Sequence, residues 1–372
     1  MARGWRMVSG GLIFLLSAFP KTRIVSGTMN SKELVYAALR GQRTERIPVY
    51  MWYGERATQR LAAHLQIRPE EIEDRLGNDI RQDWLTINKQ MSVPCAEGGS
   101  FVDEWGITWS RSGAYNTPVR HPFADLDAAQ IAAAPFPDVD APSRYAGFNS
   151  LLATKPTHFI GADVSGSLFE PAYHLRGMEN LLVDLASEAA EAEVLLNRLE
   201  QFTTAVALNA LRAGADWIWL GDDFGTQVSM IVSPATWRQH FKPRMARIIS
   251  ALRAARREAV IAYHSCGSIR PIIGELVEIG INVLNPIQES AVGMDQGEIR
   301  RSFPTLTLFC GLDTQQYLVN AQPDAVYRDA VAKIKQLGAN GHYLFGCSHT
   351  IQGDVPPENI LAMIRAAQDV KL

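Results

Sequence analysis

The sequence predicts an α/β fold, a single (β/α)8 TIM barrel with an irregular N-terminal extension. Three observations predict it. From about residue 156 short apolar strands alternate with amphipathic helical stretches, a rhythm that argues a parallel sheet. Three helices end in the same punctuation: Arg212-Ala-Gly214-Ala-Asp216, Glu278-Ile-Gly280-Ile-Asn282 and Gln336-Leu-Gly338-Ala-Asn340. In each, a C′ glycine turns the chain into a strand. Each interval between these glycines holds two strand–helix units of about 30 residues, the repeat that an eight-unit barrel of roughly 250 residues requires. A doubly wound sheet would carry a glycine-rich turn after its first strand, and no G-x-G-x-x-G occurs.

Residues 1–29 are read as a non-core extension and 30–372 as the barrel unit. Arg3 and Arg6 precede a mostly apolar stretch from Gly10 to Phe19, a weak likeness to a secretion signal. No A-x-A cleavage site follows, and the run is too short to span a bilayer. Met29 is the expected first residue of the folded unit, because Asn30-Ser31 caps the first good helical pattern, Lys32 to Leu39. Deleting the first 28 residues is therefore expected to leave folding intact.

A helix over 31–40 ends at Gly41, Arg46-Ile-Pro-Val-Tyr50 reads as a strand, and Pro69 to Leu76 as a helix. Residues 91–145 are rich in glycine, proline and aromatics, with a hairpin expected over 101–109. That segment either covers the barrel mouth or is a surface insertion. The regular part predicts strands at 158–161, 217–220, 259–263, 282–284, 306–310 and 343–345. Helices are predicted over 178–212, 234–257, 268–279, 323–337 and 357–369. Ser233-Pro234 and Gln322-Pro323 mark two of their starts, with proline at the first helical position.

With 47% hydrophobic and 20% charged residues over 372 positions, the composition is that of an ordinary soluble enzyme. A net charge of −3 argues against a general nucleic-acid or membrane-surface binder. Four cysteines, Cys95, Cys266, Cys310 and Cys347, do not make a disulfide scaffold in so long a chain. A reducing, cytoplasmic setting is expected, with thiols free to bind metal.

Chemistry-bearing residues collect just after the predicted strands. They stand in Gly161-Ala-Asp163, Gly221-Asp222-Asp223, His264-Ser-Cys266-Gly267, Asn285-Pro-Ile-Gln288, Cys310-Gly-Leu-Asp313 and Cys347-Ser-His349. Barrel enzymes build their sites at that end. His264 and Cys266, two apart at a strand end, share one side and offer the imidazole–thiolate pair that suits zinc. His349 or Cys347 completes three protein ligands with a fourth position open, the pattern of catalytic zinc. Asp222-Asp223 fits metal binding, acid–base work or the holding of a loop.

From Ser31 to Ala367 the chain resembles the uroporphyrinogen decarboxylase superfamily. The stretches that carry the resemblance are Ala38-Leu-Arg-Gly41 with Arg46-Ile-Pro-Val49, Gly221-Asp-Asp-Phe-Gly-Thr-Gln227, His264-Ser-Cys-Gly267 and the segment from Cys347 to Ile360. The resemblance implies a (β/α)8 barrel and one of two chemistries: cofactor-free decarboxylation of uroporphyrinogen, or zinc-dependent methyl transfer from a corrinoid protein to a thiol such as coenzyme M. Decarboxylases carry R-Q-A-G-R soon after the R-x-P-V strand, where this chain reads Met51-Trp-Tyr-Gly-Glu-Arg56. Tyr173 and Asp79 do fall where that branch has a catalytic tyrosine and aspartate. The methyltransferase branch uses H-x-C, matched by His264 and Cys266, plus a later cysteine. Counted back from Pro357-Glu-Asn359, that place holds His349, with Cys347 two residues earlier.

The expected activity is therefore a zinc methyltransferase in which a zinc-bound acceptor sulfur attacks the methyl group of methylcobalamin. The corrinoid would be carried by a partner corrinoid-binding protein, because no D-x-H-x-x-G signature occurs here. The other expected partners are a small-molecule methyl acceptor and a second copy of the chain in a homodimer, with no nucleic acid and no membrane. The competing expectations are a decarboxylase and a non-catalytic tetrapyrrole-binding module.

Overall fold

The computed structural model describes residues 29–113 and 115–372. The extension and its expected dispensability lie outside the described residues. Strands β1 (Ile80–Trp84), β2 (Ser100–Val102), β3 (Thr108–Ser112), β4 (Tyr115–Arg120), β5 (Phe159–Asp163) and β6 (Trp217–Gly221) are followed by β7 (Val260–His264), β8 (Val283–Asn285), β9 (Thr307–Leu312) and β10 (Tyr343–Cys347). Seven of them form one parallel sheet in the order β1-β5-β6-β7-β8-β9-β10.

Residues 48–50, expected as a strand, close the ring. Tyr50 N–H donates to Phe345 and Phe345 N–H to Pro48 on one edge, while Asp79 N–H donates to Val49 on the other. The backbone thus runs round a closed barrel with no free strand edge among these eight segments. No helix among the described residues is long and apolar enough to cross a membrane.

Alternation along the strands separates two cores. Inward-facing Tyr50, Ile80, Phe159, Trp217, Trp219 and Phe309 fill the barrel, and the larger core lies between strands and helices. The predicted cap starts the first helix and takes the form of a capping box: Asn30 accepts from the Glu33 N–H while the Glu33 carboxylate accepts from the Asn30 N–H. That helix, Ser31–Leu39, does not join the outer ring. Its Val35 and Ala38 plug the N-terminal end of the barrel against the same aromatic core, and burying Val35 completely contributes about 1.5–3 kcal/mol.

The six predicted strands all form, most extended by a residue or two toward the mouth, because neighbouring ladders continue to pair there, as Gly221 with His264 and His264 with Asn285. β1 was not predicted. Ile-Arg-Gln-Asp-Trp lacks an apolar run, and its Gln82 is satisfied only by partners distant in sequence. Gln82 donates to Asp163 and accepts from the Trp217 indole, and Arg81 pairs with Glu73 and Asp74.

The helix expected over 178–212 is two, Met178–Ala186 and Ala190–Ala213, separated where Glu188 takes φ 55°. Pro243, which has no N–H to donate, accompanies the break between Pro234–His240 and Lys242–Ala255. Gly214 and Gly280 adopt the positive φ expected of them, but Gly338 stays within its helix and the turn falls to Gly341. A Cβ at Gly338 would press on Leu372, Ile47 and Tyr343, so close packing is its reason. The expected hairpin is the first two strands of an antiparallel sheet, β2-β3-β4.

Candidate metal centre

Two strand ends bring three donors together. His264 is the last residue of β7, Cys266 stands in the turn after it, and His349 follows β10. The two strands are not neighbours, since β8 and β9 lie between them, so the donors meet across the mouth. One ligand atom from each of His264, Cys266 and His349 lies within 4.8 Å of the others, and Cys266 Sγ is 3.4 Å from His264 Nε2. Tetrahedral zinc with nitrogen and sulfur ligands sets donor pairs about 3.5 Å apart, so a small contraction brings this set to metal geometry.

The turn is held from several sides. Asp223 accepts the Cys266 N–H at 2.7 Å, Gln288 accepts the Gly267 N–H at 2.9 Å, and Ser265 accepts the Phe224 N–H. Gly267 takes φ +75°, and a Cβ there would strike the backbone of Gly225. His264 has its tautomer set by Asn285. The Asn285 amide donates to the Phe309 carbonyl, which turns its oxygen toward His264 Nδ1 at 2.7 Å. Nδ1 must then be the protonated nitrogen, leaving the Nε2 lone pair facing Cys266 and His349. Trp52 and Trp219 lie beneath, with ring centroids 6.2 and 6.0 Å from that of His264.

Cys347 is not part of this group. It faces the outer core, and its thiol donates to the His349 carbonyl at 2.9 Å. Burial pushes it up to about 12. Burial, followed by the charges of Asp223 and Glu170, pushes the Cys266 thiol well up, and burial pushes His349 down. The imidazole is therefore neutral and ready to ligate, while the thiol keeps its proton until a cation arrives to reverse the local field.

Both aspartates of the Gly221-Asp-Asp stretch reach this end of the barrel, with different tasks. Asp223 Oδ1 lies 3.5 Å from His264 Nε2. Asp222 is fully buried and accepts the N–H groups of Leu168 and Glu170 at 3.0 Å, anchoring the start of the helix Phe169–Arg176. Tyr173 sits on that helix, facing Glu170, and burial raises its hydroxyl.

Asp79 is elsewhere. It precedes β1 at the opposite end of the barrel, where it accepts from Arg46 at 2.7 and 2.6 Å, from Ser31 and from the Val49 N–H. Its chemistry there is structural, because a carboxylate so fully partnered at the barrel's foot cannot reach the mouth. This corrects the catalytic assignment that the resemblance implied.

Sequence reasoning gave no role to Asn285 or Glu170. Aligning the ends of adjacent strands would have placed Asn285 beside His264, its partner in the β7–β8 register. Nothing local marks Glu170. It is buried, is raised by burial and by Asp223 and Asp222, and accepts from Asn88.

Asp163, Glu170, Asp222 and Asp223 make no ion pair or hydrogen bond with lysine or arginine among the described residues. Burial raises Asp163 to about 6. Between pH 4 and 6 the folded protein thus holds a proton that the unfolded chain has released, so this group's contribution to stability is full below about 4 and lost as pH rises through 6. Urea midpoints at pH 5 and pH 7 should show wild type losing more stability over that interval than Asp163→Asn.

A family model described as Uroporphyrinogen decarboxylase (URO-D) matches residues 151–370. A uroporphyrinogen decarboxylase from Pelodictyon phaeoclathratiforme is 23% identical over 330 residues, covering 84% of this chain and 85% of that protein. One from Chlorobium limicola is 23% identical over 328 residues with the same coverage. Among solved structures, a methyltransferase from Methanosarcina mazei superposes with a TM-score of 0.69 at 17% identity, covering 92% of this chain and 99% of that one, which shows a shared fold.

Proposed function

The chain belongs to the uroporphyrinogen decarboxylase family, and we propose that within it this protein is a zinc-dependent methyltransferase, moving a methyl group from a methylated corrinoid protein to a thiol or similar acceptor. The observation that carries the reading is the convergence of His264, Cys266 and His349. Two imidazoles and one thiolate with a fourth position left open form a donor set for catalytic rather than structural zinc. When bound, zinc supplies the Lewis acidity that holds a coordinating thiol as its anion near neutral pH.

The chain's own residues do the positioning. Asn285 keeps the Nε2 lone pair of His264 directed at the cluster. Asp223 fixes the Cys266 turn and sets a negative charge beside the cation. The aromatic floor of Trp52 and Trp219 keeps water from reaching the centre through the barrel. The corrinoid is assigned to a partner protein because no cobalamin signature occurs in the sequence.

The family match and the two 23% relatives favour a second reading, cofactor-free decarboxylation. A substrate bearing many carboxylates needs several fixed cations, and the mouth sets only Arg111 and Arg56 against four carboxyls that no lysine or arginine pairs, which opposes it. Elemental analysis after dialysis should find about one zinc per chain, with loading that weakens as pH falls because the ligands must be deprotonated. Metal-free protein that decarboxylates a porphyrinogen would move the assignment to the second reading.

A further inference from the structure

The barrel mouth contains two chambers. One, of 610 Å³, includes Cys266 and His349. The other, of 360 Å³, lies over the ends of β1 and the closing segment, walled by Trp52, Tyr53, Trp84 and Tyr115. Tyr115, Thr350 and Gln352 line both, and the Gln352 amide donates to the Tyr115 hydroxyl, so side chains alone divide them. Trp52, a wall of the second chamber, meets the His264 ring edge-on.

Charge in this second chamber is uneven. Glu73 is turned to Arg81 at 3.1 Å, and Asp83 packs its carboxylate outward against Gly147. Glu55 stands on the rim with its side chain 72% exposed, and Arg56 is also exposed. Arg111, supplied by β3, differs. Its side chain is only 17% exposed and makes no hydrogen bond among the described residues, and the nearest paired carboxylate is Glu55 at 4.0 Å. A guanidinium held that deep with its N–H fork unused matches a carboxylate in bidentate geometry. The surrounding rings offer faces and edges to a planar conjugated body.

We propose that this chamber binds the small-molecule partner of the reaction, and that this partner is a small planar carboxylate of about benzoate size, its anion on Arg111 and its ring between Trp52, Trp84 and Tyr115. The partner's role rests on the methyltransferase reading; its binding does not require the metal.

Calorimetric titration with benzoate, its neutral isostere benzamide and the non-planar cyclohexanecarboxylate tests this. Benzoate should bind at least about tenfold more tightly than either comparator, since only it satisfies both the fork and the rings. Arg111→Gln should weaken benzoate about tenfold or more, and Arg111→Lys should recover part of the loss, with zinc content unchanged in both. Cys266→Ala, lacking the metal, should bind benzoate as wild type does. Equal affinity for benzamide or cyclohexanecarboxylate, an Arg111→Gln protein that binds like wild type, or no benzoate binding by wild type, overturns the proposal. Arg111-dependent binding in a protein that never holds zinc supports this site and overturns the methyltransferase reading instead.

Discussion

Cys266→Ala protein should emerge from dialysis with almost no zinc and with its fold intact. The thiolate is the one charged donor of the set, and without it two neutral imidazoles remain to hold a divalent ion. The loss should exceed the 10–100-fold typical of removing an outer hydrogen-bond partner. The fold survives because the closed ring of strands and its aromatic filling, not the ion, hold the barrel together. His349→Ala should behave alike. Cys347→Ala should keep its zinc and lose only about 1 kcal/mol of stability, the cost of a missing methyl-sized group in a core. Zinc content and circular dichroism of the three variants decide the ligand set. If Cys347→Ala loses the metal while His349→Ala keeps it, the third ligand has been misassigned.

Asp79→Ala should be the reverse case, with stability lost and metal retained. It removes a buried carboxylate from Arg46, Ser31 and the Val49 N–H at once. Arg46 is more than a third exposed and can turn to water, so the main cost is the orphaned Val49 N–H in the segment that closes the barrel, about 1–3 kcal/mol for a buried donor left unsatisfied. The urea midpoint should fall clearly while zinc per folded chain stays at the wild-type value. A variant with unchanged midpoint and abolished turnover would restore the catalytic role that the resemblance implied for this residue.

Much of the site was legible because its signals are local. His-x-Cys at the end of a β-branched run needs only strand alternation to be read as a ligand pair. The choice between His349 and Cys347 was not local. Both stand two residues apart after one strand, and the structure separates them by face: Cys347 belongs to β10 and faces the outer core, while His349 lies beyond the ladder and faces the mouth. Asp79 shows the limit of matching by motif. Its neighbours in sequence resemble a catalytic stretch, yet it stands just before the strand and not after it.

By itself the sequence determined the barrel, six of its strands, the segment that closes it and two of the three converging donors. These follow from hydrophobic period, glycine turns and side-chain alternation, which act over a few residues. Only the tertiary structure decided the polar strand β1, the plug formed by the first helix, the tautomer imposed by Asn285 and the chamber beneath Arg111. Each of these depends on groups distant in sequence. A half-buried Gln82 inside the barrel is acceptable because Asp163 and Trp217 satisfy it, and no local pattern records which distant partner will do so.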